Sequence, residues 1–148
     1  MDPALQELHA LYARADALYA GWSCPGSTEC CRFGITGRQP YVTGVELRLV
    51  RHALARRGGP LAPRRRALPI ARGAAERVCP LLDRSGRCAV YADRPLGCRT
   101  YYCDRATRGD GPDREDLREL VRALQDLAAR DQLGGELARP LTQALEGA

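Results

Sequence analysis

Cys79-Pro-Leu-Leu-Asp-Arg-Ser-Gly86-Arg-Cys88-Ala-Val-Tyr91-Ala-Asp-Arg94-Pro95-Leu-Gly-Cys98-Arg99-Thr-Tyr-Tyr-Cys103 carries four of the chain's seven cysteines. The other three, Cys24, Cys30 and Cys31, lie upstream, with a helix-length stretch between the two groups. Within the quoted stretch, Cys79 to Leu82 and Cys88 to Tyr91 flank Asp83-Arg-Ser-Gly86, a pattern that predicts two short strands around a Ser-Gly turn. Arg94-Pro95 ends that hairpin. Leu96 to Tyr102 then reads as a helical turn that bears Cys98 and leads to Cys103.

A soft metal ion or an iron–sulfur cluster needs about four thiolates converging from different backbone segments. Tight turns supply that convergence, because no strand or helix periodicity disperses their side chains. Here the cysteines fall in loops or hairpin ends, and the periodic helical stretches carry none. Cysteines used only as core filler would be scattered along helical faces instead. The distribution therefore predicts metal binding. Cys79, Cys88, Cys98 and Cys103 are the principal ligands expected, with Cys24, Cys30 and Cys31 completing or doubling the site. The chain has no C-x2-C knuckle of the zinc-ribbon kind and no ferredoxin spacing. Adjacent Cys30-Cys31 cannot easily point at one small ion, which favours two metals or a multi-iron cluster. The expected cofactor is zinc or iron, with a 4Fe-4S cluster among the forms. His52 is a further candidate ligand, although a lone helical histidine is more often a surface or packed residue.

Charge supports the same chemistry. All 23 Lys+Arg positions are arginine, a bias that reflects GC-rich coding rather than a nucleic-acid partner. With all seven cysteines as thiolates, the formal charge of +5 falls to −2. Arg32, Arg87, Arg94 and Arg99 are placed to offset that charge. Arg94 and Arg99 are expected to hydrogen-bond the sulfurs from behind. The basic run Arg64-Arg65-Arg66 has no interleaved aromatics for stacking on bases, so nucleic acid is not an expected partner.

At 148 residues the chain is sized for a single domain. Neither a signal-peptide pattern nor an apolar run of membrane-spanning length is visible. The expectation is a cytoplasmic protein, where reduced and spaced cysteines favour metal over disulfides. The fold class expected is mainly α (α+β): about three main helices around a small cysteine-bearing hairpin. Asp2-Pro3 caps the first helix, over about residues 3–20, with Leu5, Leu8, Tyr12, Ala15, Tyr19 and Trp22 as its apolar stripe. Residues 33–42 read as short and irregular. Thr43-Gly-Val-Glu46 is a capping box opening a second helix to about Arg57, stopped by Gly58-Gly59-Pro60. Asp113 caps a third, over about residues 114–133, with Leu117, Leu120, Val121, Leu124, Leu127 and Ala128 facing the core. A last helical segment around Leu141 to Leu145 either packs or frays.

Read together, these residues resemble the YkgJ-like cysteine-cluster proteins, described as zinc- or iron-chelating domains and named for a CxxCxxCC motif. The resemblance rests on Cys24 through Cys31-Arg32-Phe33, the helix start from Val42-Thr43 to Glu46, and Cys79-Pro-Leu-Leu with Gly86 and Cys88. Tyr91, Arg94-Pro95, Cys98-Arg99, Tyr101 and Cys103 complete it, over about residues 22–103. One position departs: Ser27 stands where the motif has its second cysteine, so either a weak oxygen ligand or an open coordination position is implied there. The resemblance implies metal chelation. Some relatives are labelled flagellin lysine N-methylases, which makes a metal- or cluster-dependent lysine N-methyltransferase, or a redox component, the alternative. The residues themselves lean away from an enzyme, since no Gly-rich nucleotide loop and no Ser/His/Asp or Cys/His pair is present. A third alternative is an interaction module with a structural metal and a protein partner.

Overall fold

Three side-chain caps set where the long helices begin. The computed structural model describes residues 2–21, 31–33, 37–61, 78–100, 111–131 and 138–146. Helix α1 is Pro3–Leu18, and the Asp2 carboxylate accepts the Ala4 amide at 2.9 Å. Strand β1, Tyr41–Val42, leads into α2, Gly44–Arg56. The capping box is complete: Thr43 Oγ1 accepts the Glu46 amide at 3.4 Å, and Glu46 Oε2 accepts the Thr43 amide at 2.9 Å. Gly58 and Gly59, at φ 107° and 114°, end α2 in a backbone region that disfavours side chains. A single 3₁₀ turn, Tyr91–Asp93, precedes the short helix α3, Leu96–Arg99. Helix α4, Arg114–Arg130, starts on Asp113, whose carboxylate accepts the Glu115 amide at 2.7 Å. Strand β2, Arg139–Pro140, and α5, Leu141–Glu146, follow.

Among the described residues the chain is thus mainly α with a small antiparallel sheet, the class its pattern predicts. That sheet corrects the reading of residues 33–42 as wholly irregular. Tyr41 pairs with Pro140 and Val42 with Arg139, and the Leu141 amide donates to the Pro40 carbonyl at 2.9 Å. Gln39 Oε1 accepts both the Thr142 amide and its hydroxyl, at 3.2 and 2.8 Å. The last helix therefore packs, with Leu141 and Ala144 buried.

Two apolar clusters share α2. In front, Leu5, Leu8, Leu11, Tyr12 and Ala15 of α1 meet Val45 and Leu49 of α2, Leu96, and Leu120, Leu124, Leu127 and Ala128 of α4. Behind, Leu47, Val50 and Ala53 of α2 meet Phe33, Val42, Cys79, Leu81, Leu82, Val90, Leu141 and Ala144. Arg48 ties the ends of the front layer, lying 2.8 Å from Asp2 and donating to both Asp131 oxygens at 3.1 Å. Val121 departs from its expected inward face and is 45% exposed. The buried stripe of α4 runs through Leu120, Leu124, Leu127 and Ala128, and Val121 lies beyond its rim. Both outer helices end slightly early, α1 at Leu18 and α4 at Arg130. Trp22 and the arginine triplet lie outside the described residues. No described helix is long and apolar enough to cross a membrane.

The double role of Thr43 makes a first prediction. Thr43→Ala removes the hydroxyl that meets the Glu46 amide and carboxylate, and should cost about 1–2 kcal/mol in chemical denaturation. A loss below a few tenths would mean that the cap contributes nothing to α2.

Candidate metal centre

One cysteine of the upstream group, Cys31, meets one of the downstream group, Cys79, through backbone pairing. Arg32 and Val78 form an isolated antiparallel bridge, and the Cys79 amide donates to the Cys31 carbonyl at 2.6 Å. Two segments almost fifty residues apart in sequence are thereby set side by side at Cys31 and Cys79.

From Cys79 the chain turns at once, with the Leu82 amide on the Cys79 carbonyl at 3.1 Å. The expected hairpin exists in reduced form: Leu82 bridges Cys88, and the Ala89 amide donates to the Leu81 carbonyl at 2.8 Å. It is too short to count as strands because Asp83 closes the turn locally. One Asp83 carboxylate oxygen accepts the Ser85 amide, the Ser85 hydroxyl and the Arg87 amide, at 2.9, 2.6 and 3.1 Å. The Ser85 hydroxyl, then the Arg87 amide, hold the Asp83 carboxyl below the usual carboxylate range. Gly86 takes the left-handed conformation, φ 81°, that this turn requires. The end of α2 braces the hairpin, since Arg57 donates to the Ala89 carbonyl at 3.2 Å and Arg56 pairs with Asp93 at 2.5 Å.

Cys79 is buried in the rear cluster, and half-buried Cys31 and Cys88 pack against the same cluster. Half-buried Cys98 sits on α3, past Leu96 of the front cluster. None of these four is in a disulfide. Cys24, Cys30 and Cys103, with Ser27 and Tyr101, lie outside the described residues. His52 is exposed on α2. The donor chemistry, soft thiols brought from separate segments into one apolar cluster, suits zinc or iron. Among the described residues, however, no three His, Cys, Asp or Glu side chains stand close enough together to hold an ion. A closed site therefore needs ligands from outside that set.

Arg94 and Arg99 shape the Cys98 segment. Arg94 stacks over Tyr91, 4.1 Å from the ring centroid, and donates to the Tyr91 carbonyl at 2.8 Å. Arg99, only 4% exposed, pairs with Asp16 at 2.7 Å, donates to the carbonyls of Arg94 and Ala92, and stacks over Tyr12 at 4.1 Å. Gly97 leaves room for close approach, because a Cβ there would sit 2.9 Å from Pro40 Cβ. Gly97→Ala should cost about 1–3 kcal/mol by overpacking α3 against the start of β1. An unchanged denaturation midpoint would show that this approach is not tight.

The chain matches no family model, no curated protein and no solved structure.

Sequence reasoning missed the group at the centre of the molecule. Glu46 is fully buried, 0% exposed, and its two oxygens accept four hydrogens. Oε1 takes the Leu96 amide at 2.8 Å and the Tyr12 hydroxyl at 3.2 Å, while Oε2 takes the amide and hydroxyl of Thr43. Burial raises its proton affinity, and the hydrogen bonds only partly offset this. Burial, and next the Glu46 charge, push the Tyr12 hydroxyl well above the ordinary tyrosine range. A signal was present in the sequence: position 46 lies on one helical stripe with Leu49, Val50 and Ala53.

Proposed function

We propose that this protein is a thiolate chelator of zinc or iron, with a 4Fe-4S cluster as one form of the iron. Its ligands would be drawn from Cys31, Cys79, Cys88 and Cys98 together with Cys24, Cys30 and Cys103. The observation that supports this reading is the pairing of Cys31 with Cys79, with Cys31, Cys79 and Cys88 sharing one apolar cluster. Thiols that merely filled the core would not require their backbones to be joined across the chain. The resemblance of these residues to the YkgJ-like cysteine-cluster proteins favours the same function. Thiolates need a reducing compartment, and the cytoplasm supplies one.

The test is metal and acid-labile sulfide content, with a visible spectrum, on full-length protein purified without oxygen. Iron with sulfide and a broad, reducible band would identify a cluster; stoichiometric zinc in a colourless solution would identify a zinc chelator. Neither metal, with every thiol titratable, would overturn the proposal and leave the cysteines as core filler.

A further inference from the structure

Cys98 stands on a helix that cannot hold itself. Helix α3 is four residues long, far below the length at which a helix is stable alone, and Pro95 before it offers no side-chain cap. Its first amide, that of Leu96, is met by Glu46 Oε1 at 2.8 Å. The same oxygen accepts the Tyr12 hydroxyl at 3.2 Å, and the Tyr12 ring carries Arg99, the residue after Cys98. Beyond it, the Thr100 carbonyl accepts the Tyr19 hydroxyl at 2.6 Å. The turn around Cys98 is thus held in part by side chains of α1 and α2, with Pro40 packed close against Gly97.

An apolar side chain of similar size at position 46 would fill the same space without the cost of burying a carboxylate. What only the carboxylate does is join the α2 cap, α1 and the α3 amide in one place.

We infer that Glu46 is a positioning residue: through the Leu96 amide and the Tyr12 hydroxyl it sets where the Cys98 thiol stands, and so whether that thiol can serve as a metal ligand. The ligand part rests on the thiolate-chelator reading. The positioning part does not. In Glu46→Gln the carboxamide must turn its NH2 toward either the Leu96 or the Thr43 amide, so one donor faces another. Tyr12→Phe is milder, removing one bond and keeping the ring beneath Arg99.

The experiment uses the reduced, metal-free full chain, pulsed with N-ethylmaleimide, with labelling of each cysteine read by mass spectrometry. Cys98 labelling should change roughly tenfold or more in Glu46→Gln and less in Tyr12→Phe, while Cys79 keeps its wild-type rate. Leu124→Ala, in the front cluster but touching none of these bonds, controls for general destabilisation. A wild-type Cys98 rate in Tyr12→Phe and in Glu46→Gln, where the latter folds, would overturn the positioning role. So would Cys98 and Cys79 rising together as they do in Leu124→Ala. Cobalt(II) titration then tests the ligand part: Glu46→Gln or Tyr12→Phe should lose thiolate-to-metal intensity to the extent that Cys98→Ser does. Full intensity in both would overturn it with the chelator reading intact. Failure of cobalt to bind the wild-type chain would overturn the chelator reading and the ligand part together.

Discussion

Glu46→Ala is expected to remove about 3–5 kcal/mol of stability, seen as a lower urea midpoint at an unchanged m-value. The substitution leaves the Leu96 and Thr43 amides and the Tyr12 hydroxyl without their acceptor, in a site closed to water. Each such orphan costs about 1–3 kcal/mol, and local relaxation recovers part of the sum. A loss under 1 kcal/mol would mean that water or backbone movement replaces the carboxylate. The group also makes stability depend on pH. Burial raises its folded-state pKa above the unfolded value, so between the two the folded chain keeps a proton that the unfolded chain has released. Its contribution is full below the ordinary carboxylate range and falls as pH rises through the raised value. Glu46→Gln should flatten that fall; an identical pH profile would assign it to another group.

Removing the metal is the second large effect expected. On the chelator reading, stripping it under reducing conditions should cost on the order of 5 kcal/mol or more, because thiolate–metal bonds exist only in the folded state. The loss should be uneven. Amide exchange should rise across residues 79–90, whose backbone bonds are few and local, while Leu5 to Ala15 and Leu120 to Ala128 keep their protection in the front cluster. Uniform loss of protection would show that the two clusters unfold as one unit. No change in either would argue that the rear cluster stands on apolar contacts alone.

What was legible in the sequence was local. Asp2-Pro3, Thr43 with Glu46, and Asp113 announce helix starts because a cap acts within three residues of itself. The Ser85-Gly86 turn was readable for the same reason. The sheet was not, since Tyr41 finds Pro140 a hundred residues away in two-residue strands with no alternation to detect. The candidate site divides in the same manner. Clustered cysteines marked its composition, but the meeting of Cys31 with Cys79 depends on the whole rear cluster. Glu46 was identified as a cap and its burial was missed, because a cap is normally solvated and only its position on an apolar stripe argued otherwise. The sequence sets Arg99 beside a cysteine but carries no sign of its described partners Asp16, Tyr12 and two carbonyls, two of which α1 supplies.

The Arg32–Val78 bridge imposes an order of assembly. The chain between its two ends contains all of α2, so closing it means ordering a long loop, and that entropy is repaid only once Leu47, Val50 and Ala53 have something to dock against. Cys79 and Cys88, by contrast, are joined by a turn that Asp83 and Gly86 can form alone. The local turn between Cys79 and Cys88 can therefore form ahead of the long-range contact, and the seating of Cys31 beside Cys79 waits on the docking of α2 against the rear cluster.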